Sequence, residues 1–164
     1  MTRLEHATKR HAREMARIMR EEDKLEIKAS GGFLPEQALR GSINRSSEAW
    51  ALYADDDLLM VFGVARFSPG WASPWALCSI HVARHQVAFW RASKLLIAEI
   101  RERHPHLMQM VYARSSGSLR WVERLGFKVG QPERWGRDDT LFCRISMETP
   151  KLIYEGRVAP SATY

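Results

Sequence analysis

The chain has 164 residues, of which 45% are hydrophobic and 27% charged, and its formal net charge is +6. This length predicts one domain with a sizeable core, and the composition excludes a low-complexity or intrinsically disordered chain. No run reaches the roughly 18 apolar residues of a membrane-spanning helix, and the first segment lacks the apolar stretch of a secretory signal. The cysteines, Cys78 and Cys143, lie in apolar runs, where we expect reduced core residues. We therefore expect a cytoplasmic protein without a membrane or metal partner.

The positive charge is distributed over several segments and forms no block of five like charges. A basic chain can bind nucleic acid or another anion. The sequence has no helix-turn-helix, zinc-finger or RNA-recognition motif, so we do not expect nucleic-acid binding. We assign most of the basic side chains to solvated helix faces and leave the oligomeric state open.

Residues 1–45 are predicted to form one short strand followed by helices. After a strand near residues 3–6, apolar residues recur at helical spacing over residues 8–22. The segment EEDKLEIKAS predicts a second short helix, which the glycine pair at 31–32 ends. Pro35 suits the first turn of a following helix.

A different hydrophobic period predicts strands in the middle of the chain. The segments WALYA and LLMVFGVARF flank residues 55–57, which indicates a β-hairpin with an acidic, solvated turn. Gly63 indicates a bulge or a close backbone approach in the second strand. The connection SPGWASP follows, and WALCSIHV predicts a short strand covered on both faces.

The second half of the chain alternates helices with strands. Residues 84–104 predict the longest helix, LMQMVYA a buried strand, SSGSLRWVERLGF a helix that Gly126 ends, and DDTLFCRISM a late strand. The order β-α-α-β-β-β-α-β-α-β predicts a single mixed α/β domain over residues 1–149, with a tail over 150–164. A strand–helix–strand unit of this kind requires a crossover connection.

This order, with a hairpin before a central strand–helix–strand unit, resembles the GNAT superfamily of acyl-CoA-dependent N-acyltransferases. The best local match is SSGSLRWVERLGFKV, because the GNAT pattern ends this helix with Leu-Gly-Phe. The chain looks closest to a divergent branch in short-tailed bacteriophages, which includes internal virion proteins. The supporting motifs are Asp23-x-x-Glu26, Phe62-Gly63-Val64, Trp75-x-Leu77, Phe89-x-Arg91-x-Ser93, Ser118-Leu119-Arg120-Trp121, Leu125-Gly126-Phe127 and the strand from Phe142 to Met147.

The resemblance implies acetyl-CoA as the acyl donor and an amine, which a host protein can supply, as the acceptor. The cofactor's pantetheine would pair with the central strand, and its pyrophosphate would lie at the next helix N-terminus, where free N–H groups and the helix dipole favour anions. The cofactor-binding residues implied in this way are Ile80, His81, Val82, Ala88, Ala92, Ser115 and Ser118. Arg84 and Arg91 are further candidates, which would pair with phosphate oxygens in place of the missing glycines or would be solvated residues at the start of the helix.

Three residues are candidates for the acid–base chemistry that the resemblance implies. His81 titrates near neutral pH, Glu26 lies in the segment that forms one wall of the acceptor site, and Ser79 is a polar position on the same predicted strand as His81. Although His81 and His85 have the spacing of a metal pair, they straddle a strand–helix boundary, so we predict no zinc site.

Two departures from the GNAT pattern leave an alternative function open. Trp90 stands where the usual phosphate loop has glycine, and Val122 stands where many of these enzymes have a proton-donating tyrosine. The alternative is a catalytically degenerate phage protein that acts as a virion component or binds a host factor. A shared fold does not guarantee a shared activity.

Overall fold

The structure, a computed structural model, describes residues 1–149 and contains a seven-stranded mixed sheet with the order β1-β2-β3-β4-β5-β7-β6. The strands are β1 (Thr2–His6), β2 (Glu48–Ala54), β3 (Asp57–Ser68), β4 (Trp71–Cys78), β5 (His106–Tyr112), β6 (Lys128–Arg134) and β7 (Leu141–Met147). The helices are α1 (Lys9–Ile18), α2 (Glu21–Gly31), α3 (Pro35–Arg45), α4 (Gln86–Arg103) and α5 (Ser116–Arg124). The predicted mixed α/β fold is confirmed, and α3 begins at Pro35 as expected, but the predicted element order counted two helices before β2 instead of three and lacked β6. The predicted tail, 150–164, lies outside the described residues.

Alternation along the strands supplies two hydrophobic cores, one on each face of the sheet. On β2, Ala51 and Tyr53 pack towards α1–α3, whereas Leu52 packs towards α4 and α5. This is the period of two expected for a strand covered on both faces. Cys78 and Cys143 are free and buried, as predicted.

The helix predicted over residues 8–22 is interrupted in the structure. Helix α1 ends at Ile18, because Met19 forms an antiparallel bridge with Ser79. The N–H of Arg20 then donates to the carbonyl of Cys78 over 3.0 Å. These contacts place the start of α2 against the end of β4.

The central strand lies four residues earlier than the sequence predicted. β4 begins at Trp71, inside the predicted connection, and ends at Cys78, where it is followed by a 3₁₀ helix over Ile80–Arg84. The hydroxyl of Ser79 accepts a hydrogen bond from the His81 N–H over 3.1 Å. Local side-chain bonds of this kind compete with a strand ladder and turn the chain here.

Gly63 provides the close approach that its position in a strand indicated. A Cβ atom there would lie 2.7 Å from the Glu48 carbonyl oxygen and 2.9 Å from Nε1 of Trp75. Only glycine leaves room for the Trp75 indole to lie across β3.

The parallel strands β4 and β5 pair only at one end. Their ladder consists of Trp71 with His106 and Ala72 with Leu107. Beyond this point each strand pairs only with its other neighbour, β3 or β7. The sheet therefore carries a split between the carboxyl-terminal halves of β4 and β5.

Candidate active site

A cavity of about 310 Å³ occupies the split. Its walls include Leu77 and Ile27, from the core on the α1–α3 face, and Phe62 and Val122, from the core on the α4–α5 face. The cavity therefore connects the two faces of the sheet. A ligand entering from one face can meet a ligand from the other inside it.

The edge of β4 that faces the split has unpaired backbone in its middle. At Cys78, the N–H donates to Oδ2 of Asp23 over 2.6 Å and the carbonyl accepts from Arg20. At Pro74, the carbonyl accepts from Nε2 of Gln109 over 3.1 Å. Because backbone groups two residues apart point to the same side of a strand, the N–H and carbonyl of Ala76 face the split between these two points.

Glu26 projects from α2 into the cavity. Its Oε2 accepts the N–H of Tyr112, at the end of β5, over 3.0 Å. Burial raises the pKa of this carboxyl from 4.5 to about 7, although the Tyr112 hydrogen bond acts in the opposite direction. A carboxyl that titrates near neutral pH is suited to accept a proton from an amine.

Asp23 lies one helical turn from Glu26 and is buried at the end of β4. Its carboxylate accepts from Nη2 of Arg20 over 3.0 Å as well as from the Cys78 N–H. Burial raises the pKa of Asp23, and the ion pair with Arg20 partly offsets this effect. All its contacts are structural, so Asp23 fixes α2 to β4 and thereby orients Glu26.

A second cavity, of about 370 Å³, lies between the N-termini of α4 and α5. Helix α4 begins without a side-chain cap and has no acidic residue in its first turn. The first N–H groups of such a helix have no partner within the helix and attract anions. Arg20 and Arg120 line the same cavity, which makes it a candidate anion site.

The structure separates several predicted site residues from the split. Ile80, His81 and Val82 lie on the 3₁₀ helix and not on β4, so their predicted place along a strand is wrong. Arg84 donates from Nε and Nη2 to Asp57, each over 2.8 Å, and its Nη2 lies 2.9 Å from Nδ1 of His81.

Asp57 ties this cluster to the β2–β3 turn. Its Oδ2 also lies 2.7 Å from Nε2 of His85, and the hydrogen bonds from Arg84 and His85 hold the pKa of Asp57 down, to about 2. Ser79, the third catalytic candidate, is fully buried and donates to the Leu58 carbonyl over 2.5 Å. Arg84 and Ser79 are therefore engaged in structural contacts, and none of Ser79, His81 and Arg84 lines the cavity in the split.

Residues of α4 take different sides of the helix. Ala88 and Ala92 pack on the core of the α4–α5 face, and Arg91 is exposed. The bulky Trp90 lies outside both cavities, where Cζ of Arg124 is 4.7 Å from its ring centre and Nζ of Lys94 is 5.6 Å away. The tryptophan that replaces glycine therefore does not cover the helix N-terminus.

Helix α5 contributes to both cavities. Ser115 is buried at its start, and Ser118 lines both cavities and donates its N–H to Glu22 over 3.4 Å. Val122 lines the split. Trp121 also lines both cavities, and its indole Nε1 is buried without a hydrogen-bond partner among the described residues.

Sequence reasoning missed Arg20, Asp23, Arg120 and Trp121 as site residues. The available signals were the spacing of Asp23 and Glu26, since residues three apart share a helix face, and the motif Ser118-Leu119-Arg120-Trp121, which contains two of the missed residues. Residues 1–149 contain no group of three side chains that could hold a metal ion. None of the helices in this range is both long and apolar enough to cross a membrane.

No protein-family model matches the chain, and no curated protein sequence matches it. Solved structures do match. A ribosomal-protein α-N-acetyltransferase in complex with coenzyme A has 10% identity and a TM-score of 0.67, covering 90% of this chain and 93% of that one. A ribosomal-protein-alanine N-acetyltransferase from Brucella melitensis has 14% identity and a TM-score of 0.64, covering 90% and 99%.

A third similar structure is a Bacillus subtilis acetyltransferase in complex with CoA, with 10% identity, a TM-score of 0.64 and coverage of 91% of this chain and 98% of that one. Identities this low carry information about the fold alone. The neighbours extend over nearly the whole of each chain and agree with the fold that the motifs implied. The chain therefore has the fold of the GNAT N-acetyltransferases.

Proposed function

We propose that this chain transfers an acetyl group from acetyl-CoA to an amine. The observation that carries the proposal is the cavity through the sheet, with a carboxyl of raised pKa, Glu26, at its wall. The cavity is lined from both faces of the sheet and shares Ser118 and Trp121 with the second cavity, so a thioester and an amine could approach each other from opposite sides. Amine acetylation needs a group that accepts a proton near neutral pH.

In the proposed reaction, the Glu26 carboxylate accepts a proton from the amine as its nitrogen attacks the thioester carbonyl. A C–N bond forms and the C–S bond breaks; the released thiolate takes up one proton from solvent and Glu26 returns its proton to solvent, so that a neutral amine gives amide and thiol with no net proton consumed. Val122 cannot supply this proton. The unpartnered N–H of Trp121 is our candidate for a hydrogen bond to the cofactor where the two cavities meet.

The two cavities together support a path for the cofactor. We propose that its pantetheine arm pairs with the N–H and carbonyl of Ala76, in place of the predicted residues 80–82. The pyrophosphate would then lie at the open N-terminus of α4, between Arg20 and Arg120. Arginine pairs bidentately with phosphate oxygens, and Arg120 is available for such a pair, whereas Arg20, whose Nε and Nη2 are held by Asp23, contributes positive charge nearby. In this proposal these side chains replace the glycine-rich loop as the source of affinity.

The direct test is to titrate acetyl-CoA and follow the melting temperature. At about 100 times its Kd, a bound ligand stabilises the native state by about 2.7 kcal/mol, so we expect a clear upward shift. Desulfo-CoA, which lacks the acetyl thioester, tests whether the rest of the cofactor binds by itself. The absence of a shift at millimolar acetyl-CoA would refute cofactor binding.

Reversing the charge of Arg120 should weaken cofactor binding. Hydrogen bonds to charged groups contribute about 1.5–3 kcal/mol each, so we expect Arg120→Glu to raise the Kd for acetyl-CoA about 10-fold or more. Arg91→Glu, an equally exposed change one helix away, should have a smaller effect because Arg91 does not line the cavity. Calorimetric titration measures both, and a larger effect at Arg91 would place the pyrophosphate elsewhere.

The motif resemblance to the bacteriophage branch extends this proposal to a phage-encoded enzyme in the cytoplasm of its host, with a host protein among its candidate acceptors. The alternative, a degenerate virion or host-factor-binding protein, is favoured by Val122, which cannot donate a proton. The open cavity and the position of Trp90 away from the α4 N-terminus favour the enzyme. The acetyl-CoA titration separates the two.

A further inference from the structure

The split cavity opens on the α2–α3 side of the sheet. Four of its lining residues are exposed: three lie on α2, on α3 or between them, and the fourth lies on the β6–β7 connection, which packs on α2. We call these four residues the mouth: Ser30, Phe33, Arg45 and Trp135. The cavity's other lining residues are buried or partly buried, so the mouth is where a ligand enters from this face.

Two aromatic rings of the mouth are held in place although they are exposed. Phe33 is 61% exposed and Trp135 is 51% exposed. The Phe33 ring lies over Gly31, where a Cβ atom would be 2.5 Å from its Cε2. The Trp135 ring packs edge-on against Phe142, with 4.9 Å between ring centres. Exposed aromatic side chains at the rim of a cavity are typical of a ligand-binding surface.

The two rings belong to segments that pack together. The β6–β7 connection lies on α2, because a Cβ atom on Gly136 would be 2.6 Å from the Ala29 carbonyl oxygen. Phe33 and Trp135 each adjoin this junction in the chain. The mouth is therefore a fixed rim and not two unrelated surface residues.

Charge is divided along the cavity. The mouth carries the cation Arg45 and no acidic side chain, whereas the inner wall carries the Asp23–Arg20 ion pair and the carboxyl of Glu26, which has no ion-pair partner among the described residues. A ligand complementary to this arrangement has its amine inside, an apolar group against the rings and a negative charge outside. A polycation does not fit, because Arg45 repels the charges that trail the amine.

We propose that the acceptor is an α-amine beside a large apolar side chain and followed by a negative charge, as in a free apolar amino acid or in the first residue of an acidic peptide. This inference rests on the proposed function and specifies its acceptor. The mouth supplies selectivity, and Glu26 supplies the chemistry.

Acetyl transfer to different amines, followed by CoA thiol release, tests the inference. With acetyl-CoA fixed, we expect kcat/KM for phenylalanine to exceed that for glycine and for spermidine at least about 10-fold, since each tenfold is about 1.4 kcal/mol. A peptide of sequence Phe-Asp-Asp distinguishes the two kinds of acceptor, a free amino acid and the first residue of an acidic peptide. A higher kcat/KM for the peptide than for free phenylalanine identifies a peptide N-terminus as the acceptor, and the reverse identifies a free amino acid.

Variants of the mouth separate its apolar and charged contributions. Phe33→Ala and Trp135→Ala should each raise the KM for phenylalanine about 10-fold. Arg45→Ala should raise the KM for phenylalanine but change that for phenethylamine, which lacks the carboxylate, less than about twofold. The matched control is Phe67→Ala, because Phe67 is 51% exposed and does not line the cavity; its KM should equal that of the wild type.

The inference fails if spermidine or glycine is the better acceptor, or if the mouth variants leave the KM for phenylalanine unchanged. If acetyl-CoA does not bind and no amine is acetylated, the proposed function fails, and calorimetric titration of phenylalanine tests the mouth alone. Binding that Phe33→Ala weakens and Phe67→Ala does not weaken would support the mouth as an amino-acid site. No binding would overturn it.

Discussion

Replacing Glu26 with glutamine should abolish most of the acetyl transfer while leaving the fold intact. Glutamine keeps an oxygen that can accept the Tyr112 N–H but cannot take a proton, so we expect kcat/KM to fall about 10²- to 10⁴-fold. In the wild type, the carboxyl must be ionised to act as a base. The rate should therefore rise with pH through a pKa of about 7 and lose this dependence in the variant.

The same substitution should change the pH dependence of stability. The Glu26 pKa is about 7 in the folded chain against 4.5 for the free side chain, so between these values the folded state binds more protons and its stability falls as pH rises. At about 1.4 kcal/mol per pKa unit, the free energy of unfolding of Glu26→Gln should rise relative to that of the wild type by about 1–3 kcal/mol across this pH window.

Urea denaturation at several pH values measures this gain. Glu21→Gln is the control, because Glu21 lies on the same helix with its side chain 78% exposed. A wild-type rate that does not vary around pH 7, or a Glu26→Gln variant with full activity, would show that Glu26 is not the base.

Replacing Asp23 with alanine should cause the largest loss of stability among the site residues. The change leaves the guanidinium of Arg20, which is 27% exposed, and the buried N–H of Cys78 without their acceptor. Removing one partner of a buried ion pair costs about 3–5 kcal/mol. We expect the free energy of unfolding, measured with urea, to fall by this amount.

Asp23→Asn tests the same site with the shape preserved. The carboxamide oxygen can still accept the Cys78 N–H, and burial of a neutral group avoids the desolvation that raises the Asp23 pKa. The free energy of unfolding should therefore fall clearly less in Asp23→Asn than in Asp23→Ala. If alanine costs under about 1 kcal/mol, the pair is not a structural anchor.

The parts of the fold that follow a hydrophobic period could be predicted from the sequence. The hairpin and the long helix have such a period, and the order of these elements indicates the mixed α/β class. The spacing of Asp23 and Glu26 places both residues on one side of α2. Strand β6 was missed because KVGQPER is mostly exposed and contains a proline, so it has the composition of an edge strand and of a loop alike.

The site could be predicted only in part, because long-range pairings decide it. Nothing local to Arg84 indicates that Asp57, 27 residues earlier, pairs with it. The hydrogen bond from the His81 N–H to the Ser79 hydroxyl turns the chain directly after β4. Residues 80–82, which were predicted to continue the strand, therefore lie on a 3₁₀ helix away from the split. Conversely, Glu26 was identified from the resemblance alone, and the burial that raises its pKa cannot be read from the residues beside it in the sequence.

Helix α2 replaces the missing part of the β4–β5 ladder with side chains. Asp23 accepts an N–H from Cys78 of β4, Glu26 accepts one from Tyr112 of β5, and Glu22 accepts one from Ser118 of α5. These contacts span 55, 86 and 96 residues along the chain, so α2 cannot dock until distant segments have assembled. Closing such long loops slows folding. The helix that carries Glu26 is thus expected to reach its final place late, as one of the last steps of folding.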